Sequence, residues 1–398
     1  MNPLRSVSRR LVRDVDPLRF AIGILALIII AFFPFVNDQL SAVLGLSLSG
    51  KVIPVLVQGT VLALGLNIVV GFAGLLDLGY AAFFAIGAYS AAFFTSSQSP
   101  IPVIRDSTPI IPGVCCPLNF WVAMLLSAAV AAAFGVVLGA PTLRLRGDYL
   151  AIVTLGFGEI VPLVIRNTPE VTKGTQGMNP IGLPILPSIS VGPLQLGGKF
   201  GGDWVPWYYL AVGIVILSVI IAARLRASRV GRAWMAIRED EVAAASMGVN
   251  PVTTKLFAFA MGASLSGFAG SVWASYLQVI DPEQFRFDVS IMVLSMIVLG
   301  GMGSIPGVIA GSLILGMVDR GLPDYVHVLG NNLNNDFLRT FDTSQFRLAI
   351  FGLALVVMML VRPEGLFPSS RRKMELHAAE ESITEAEQQR ATLYEAQR

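Results

Sequence analysis

Few residues in this chain have the types and spacing to do chemistry. Cys115 and Cys116 are adjacent, so they form neither a zinc spacing nor a disulfide framework. His327 and His377 stand apart, which argues against a histidine metal site. There is no Ser/His/Asp or Cys/His arrangement for covalent catalysis, and no GxxxxGK(S/T) phosphate loop for ATP. What remains is charge in apolar surroundings. Arg238, Glu239, Asp240 and Glu241 stand in a row within GRAWMAIREDEVAAASMGVNP (231–251), and Glu159 interrupts an apolar run. Such groups form ion pairs, dock partners or recognise a charged solute; catalytic residues and metal ligands are not expected.

The elements that must position these charges are membrane helices. Of the 398 residues, 54% are hydrophobic and 14% charged, against about 25% charged in soluble domains. The mean hydropathy is +0.70. This excludes an ordinary soluble enzyme, and a net charge of +2 gives no reason to expect nucleic acid. A crossing needs about 20 mostly apolar residues. Runs at 20–36, 52–76, 78–95, 120–140, 149–165, 205–223, 256–276 and 348–361 read as spans. The stretch 289–318 reads as two short spans meeting at GGMGSIPG (300–307). The first run is long for a signal peptide and is read as retained.

The expected fold is therefore an all-α polytopic membrane protein. It has about ten transmembrane helices and cytoplasmic N- and C-termini. A basic arm (1–19) precedes the membrane domain (20–366), which carries a cytoplasmic loop (224–254); a polar tail (367–398) follows. This topology puts most of the 28 Lys and Arg residues inside, as the positive-inside rule requires. Gly262, Ser266, Gly270 and Ala274 form a small-residue stripe suited to close helix packing.

The charged interruption lies inside in this topology. Arg238 to Asp240 would wrap every side of a helical turn, so the segment belongs in water. Glu239, Asp240 and Glu241 suit the positive end of a helix dipole. VAAASM continues the helix, Gly248 is placed to end it in a left-handed cap, and Pro251 opposes continuation. Two readings stand: a solvated helical loop, or a docking helix whose alanines lie against a soluble partner.

Within the spans, Glu159 should face the bundle interior, a partner or water, because an ionised carboxylate in lipid is costly. It either lines a pathway, meeting a substrate ammonium, or is a structural acid bonded to a neighbouring helix. Asn67, followed by Gly71 and Gly74, lines a pathway or joins helices; the glycines permit a kink. Tyr80, a further pathway candidate, and an interfacial Asp77, expected to cap the helix, lie at the start of span three. Gly301, Gly303 and Pro306 mark a gate or a plain tight turn.

Glu241, Ala243, Ala244 and Gly248, then Asn250-Pro251, resemble the EAA–Gly coupling loop of ABC importer permeases. SRVGRAWMAIREDEVAAASMGVNP (228–251), GLNIVVGFAGLLDLGYAAFFAIGAY (65–89), RGDYLAIVTLGFGEIV (146–161) and VLGGMGSIPGVIAG (298–311) are similar, in order, to the branched-chain amino acid permease family of the LivM type. The resemblance runs over 59–316. It implies an ABC importer permease fold and alternating access. It also implies a second, LivH-like permease, two cytoplasmic LivG/LivF-like ATP-binding subunits that carry the ATP and Mg, and a soluble periplasmic binding protein. The location implied is a bacterial-type inner membrane, and the substrate a branched-chain or other neutral amino acid. Urea and amide permeases look alike, and a self-sufficient secondary transporter is the alternative from another class. Arg238, Glu239, Asp240, Glu241, Ala244 and Gly248 would then couple the channel to the ATPases. No cofactor is implied on this chain itself.

Overall fold

The computed structural model describes residues 32–37, 39, 41, 49–100, 119–142, 148–191, 194–201, 203–333, 347–362 and 364–367. The basic arm, most of the first expected span and the tail beyond 367 lie outside them. Among the described residues, six helices are long and apolar enough to cross a membrane. These are α1 (Ser49–Phe72), α3 (Phe120–Thr142), α4 (Asp148–Asn167), α5 (Trp204–Ala227), α8 (Pro251–Leu277) and most of α10 (Ile305–Asn332). Shorter helices α2 (Tyr80–Thr95), α9 (Phe287–Gly300) and α11 (Arg347–Val361) fall on the remaining apolar runs. Between α5 and α8 lie α6 (Arg229–Glu239) and the one-and-a-half-turn α7 (Glu241–Ser246).

Helix α1 is apolar around most of its circumference, and a helix of that kind belongs in a core. In its most hydrophobic stretch, 94% of residues are buried. Its turns widen to π geometry over Val55–Val61 and Asn67–Phe72, a distortion frequent at functional sites. Helix α8 packs beside it through the expected small-residue stripe. A side chain at Gly262 would run into Val69, and one at Gly270 into the backbone of α2. Gly267, outside the expected stripe, does the same against α3.

A ladder of polar contacts joins α1 to α10, which run antiparallel. Lys51 forms an ion pair with Asp324, and Arg320 donates to Gln58. Thr60 and Ser312 share a 2.9 Å hydroxyl bond. The Gly303 N–H, in the turn before α10, donates 2.9 Å to Asn67 Oδ1. Along α1 the outermost rungs, Lys51 and Asn67, are sixteen positions apart, about 24 Å of helix. Buried polar groups in a membrane bundle need partners, and here the two helices supply most of each other's, Asn67 Nδ2 being left without a hydrogen bond.

Helices α9 and α10 meet at GGMGSIPG as expected, but α10 is not a short span ending at 318: it runs on to Asn332. They approach so closely that a side chain on Gly300 would enter the Gly307 backbone. Gly301 (φ 111°) and Gly303 (φ 79°) make the turn. Pro306 is the second residue of α10, where its missing N–H has no intrahelical acceptor to lose.

One element departs from an all-α chain. Ile185–Val191 and Leu194–Lys199 pair as an antiparallel hairpin in the long connection between α4 and α5. ILPSISV and LQLGGK carry β-branched and alternating apolar residues. The Gly and Pro content of the surrounding loop concealed that short signal.

Candidate coupling site

The charged interruption is built as two helices with a joint between them. Arg229–Glu239 ends at Asp240, whose backbone is extended (φ −154°, ψ 112°). Asp240 then caps α7: its Oδ1 accepts from the N–H groups of Val242 (2.8 Å) and Ala243 (3.0 Å). The expectation of one turn wrapped by Arg238 to Asp240 is corrected here. An Asp satisfying two orphan amides starts a new helix rather than continuing the old one.

The end of α7 matches the expectation. Gly248 has φ 86°; its N–H donates to Ala245 O, and the Val249 N–H to Ala244 O, a Schellman closure. Asn250 then caps α8 through Val252 and Thr253 N–H, with Pro251 at its first position.

Two ties fix this segment to the bundle. Lys255, 7% exposed on α8, pairs with Glu241 at 2.7 Å. Trp234, fully buried on α6, donates 2.7 Å to Thr254 O. Ala244 is also buried against the bundle, so it does not face outward with the other alanines. What projects is Val242, 73% exposed, and Met247, 84% exposed. With Glu239, Asp240, Ala243 and Gly248, also exposed, they form a small apolar surface edged by acid.

Arg238 connects this segment to the glycine breaks. Its Nη1 donates 2.6 Å to Gly71 O, in the last turn of α1. Its aliphatic stem lies where a side chain on Gly74 (φ 70°) would be, and its guanidinium lies beside Gly303. A Cβ on Gly71 would come within 2.7 Å of Gly303 N and would overlap Asn67 Oδ1. The structure therefore brings together Asn67, Gly71, Gly74, Gly303 and Arg238, which are far apart in sequence. Gly301 sits apart, against the backbone of Glu364 and Phe367.

The remaining singled-out residues lie elsewhere. Tyr80 is buried, and its hydroxyl donates 2.7 Å to Gly262 O, joining α2 to α8. Asp77, in the connection between α1 and α2, is buried within the protein. Its Oδ1 accepts from Gly79 N–H, just before α2, and burial pushes its carboxyl up from 3.8 to about 6. Glu159 is exposed on the outer face of α4, between exposed Ile152, Ile160, Leu163 and Val164. It does not face the interior of this chain's own bundle, because a different side of α4, through Gly158 on Gly79, makes the close contact.

Three contributors escaped sequence reasoning. Lys255 reads as the edge of a span, and Val242 and Met247 as ordinary helix residues. The available signal was a lysine fourteen residues beyond Glu241, across a Gly and a Pro that turn the chain back.

A family profile for the branched-chain amino acid transport system permease component matches residues 52–361. The high-affinity branched-chain amino acid transport system permease protein LivM of Salmonella typhimurium is 38% identical over 333 residues, covering 80% of this chain and 70% of the relative. LivM of Escherichia coli is 38% identical over 329 residues, covering 79% and 69%. LivH of Salmonella typhimurium is 23% identical over 312 residues, covering 77% and 89%. No solved structure matches the chain.

Proposed function

The chain belongs to the branched-chain amino acid transport system permease family. From that premise we propose that it is one of two permease subunits of an ATP-driven importer of branched-chain or other neutral amino acids. It is a multi-pass membrane protein; the proposed location is a bacterial inner membrane, with α7 on the cytoplasmic side. Two ATP-binding subunits, which hold ATP and Mg, dock on the coupling helices of the two permeases, one of them on α7, and a periplasmic binding protein delivers substrate to the opposite end.

One observation carries this reading. Helix α7 exposes Val242 and Met247 to a partner while its base is tied inward by Lys255–Glu241 and Arg238–Gly71. Exposed apolar side chains rimmed by charge suit a protein contact, with the charges setting register. Motion of the ATPases at ATP binding then passes from α7 through Arg238 to the ends of α1 and α10. Those helices are cross-linked along their length, so they move as a pair. The widened turns of α1 and the Gly301–Gly303 turn supply the places where backbone geometry can change. Alternation between inward and outward openings follows.

Glu159 assigns the second permease a place. A carboxylate at mid-helix in lipid costs about 2.5–3.5 kcal/mol on insertion scales. Seating the LivH-like subunit on the outer face of α4 gives Glu159 a polar partner or a wetted pathway between the subunits, where it meets the substrate ammonium.

The test uses the complete complex in proteoliposomes. Met247→Glu and Gly248→Asp are each expected to lose the co-purified ATPases or to uncouple ATP hydrolysis from leucine uptake. Both chains should still insert. ATP-dependent uptake at the wild-type rate in both variants refutes the docking role.

A further inference from the structure

At the end of the bundle opposite α7, the α1–α10 ladder opens into a cavity of about 380 Å³, within the range of small-molecule sites. Among the described residues its charged lining is Lys51, Asp319, Arg320 and Asp324, two of each sign. Leu322 and Phe351 are among its apolar wall. We propose that this cavity receives the zwitterionic amino acid on its way into the channel, its carboxylate going to Lys51 and its ammonium to Asp324. The proposal rests on the importer reading above and adds a site to it.

Charge balance makes the argument. A cavity with two cations and two anions repels neither end of a zwitterion and has no surplus charge to favour a lone cation or anion. The Lys51 side chain is 14% exposed and that of Asp324 is 38% exposed, so the acid side of the pair is reachable from the cavity. An arriving carboxylate replaces Asp324 on Lys51, and the ammonium of the same molecule compensates Asp324. Both groups are re-paired without a net charge entering. The aliphatic side chain is left for Leu322 and Phe351.

Position adds a mechanical consequence. Lys51 and Asp324 form the outermost rung of the ladder whose innermost rung is Asn67–Gly303. Arg238 holds the same two elements at that inner end. A substrate that splits the outer rung therefore acts on the helices that the coupling segment holds.

The experiment measures equilibrium binding of radiolabelled L-leucine to the complete permease–ATPase complex in nanodiscs, without the binding protein. Isocaproate, which lacks the amino group, and isoamylamine, which lacks the carboxylate, are compared as competitors on the wild-type complex. Both are expected to compete at least tenfold more weakly than L-leucine. Lys51→Met and Asp324→Asn are each expected to weaken L-leucine at least tenfold, and Lys51→Arg to retain most of the binding. The competitor series needs no variant to fold. Equal competition by either analogue, or wild-type binding in both Lys51→Met and Asp324→Asn, overturns the site. If leucine uptake by the whole system continues unchanged in those variants, the site fails and the importer reading stands. A wild-type system that takes up urea and no amino acid removes both.

Discussion

Arg238, the penultimate residue of α6, donates a 2.6 Å hydrogen bond to the carbonyl of Gly71, 167 positions away at the end of α1. The C-terminal carbonyls of a helix have no intrahelical donors, and they carry the negative end of its dipole. A guanidinium is suited to both conditions. It also fits only because Gly74 leaves room for its stem. The bond therefore ties the charged segment to the most enclosed helix of the bundle.

From this, Arg238→Met should separate ATP hydrolysis from transport. A hydrogen bond to a charged group contributes about 1.5–3 kcal/mol, so coupling should fall roughly tenfold or more if the bond transmits force. Arg238→Lys should recover part of it, since one donor and the charge remain. The measurement is ATP hydrolysed per leucine imported in proteoliposomes. A wild-type ratio in Arg238→Met means that the bond only packs.

The Glu241–Lys255 pair makes an asymmetric prediction. Lys255 is buried and Glu241 is 38% exposed. Glu241→Gln strands a buried ammonium and should destabilise the chain by about 1–3 kcal/mol, below the 3–5 of a fully buried pair because the exposed partner is screened. Lys255→Met replaces the ammonium with an apolar group of similar length and should cost less. Thermal melting in detergent ranks the two; the reverse order rejects the burial argument.

Periodicity and hydropathy made most of the helices legible, because apolar length is read directly from sequence. The short helix was legible in outline through Gly248 and Pro251. Its joint at Asp240 was not, since an Asp at a helix start looks the same as an Asp in a first turn. Asn67, Gly71, Gly74, Gly303 and Arg238 were each noticed, but their meeting depends on how α1, α6 and α10 converge, and no local pattern encodes that. Glu159 illustrates the converse. An acid in an apolar run must find polar company, but its side of the helix is set by α4 packing through Gly158 and Gly79.

Asp77 predicts a pH dependence of stability. Its folded pKa is raised, from 3.8 to about 6, with burial as the largest cause. The folded state therefore holds the proton more tightly than the unfolded state. That stabilisation is full below about pH 4 and is lost as pH rises through 6, a total of roughly 3 kcal/mol. Asp77→Asn keeps an oxygen to accept from Gly79 and cannot ionise. The wild-type melting temperature should fall more steeply between pH 4 and 7 than that of Asp77→Asn. Parallel curves would show that Asp77 is not the group responsible.

Glu159 predicts where the proposed second permease subunit lies. The α4 face around it exposes Ile152, Ile160, Leu163 and Val164, and a side chain on Gly156 would meet nothing within 4 Å. Apolar exposure alone would suit lipid, but a carboxylate in the middle of that face does not. Cysteine placed at Ile160 should cross-link to cysteines on the second permease and resist a lipid-phase thiol reagent. Glu159→Leu should leave insertion and the melting of this chain nearly unchanged, because exposed positions usually shift stability by no more than about 0.5 kcal/mol. On the proposed pathway role of Glu159, leucine uptake should nevertheless fall. Labelling of Ile160→Cys from the lipid, together with full uptake by Glu159→Leu, would put the face in the bilayer and move the subunit contact to another helix.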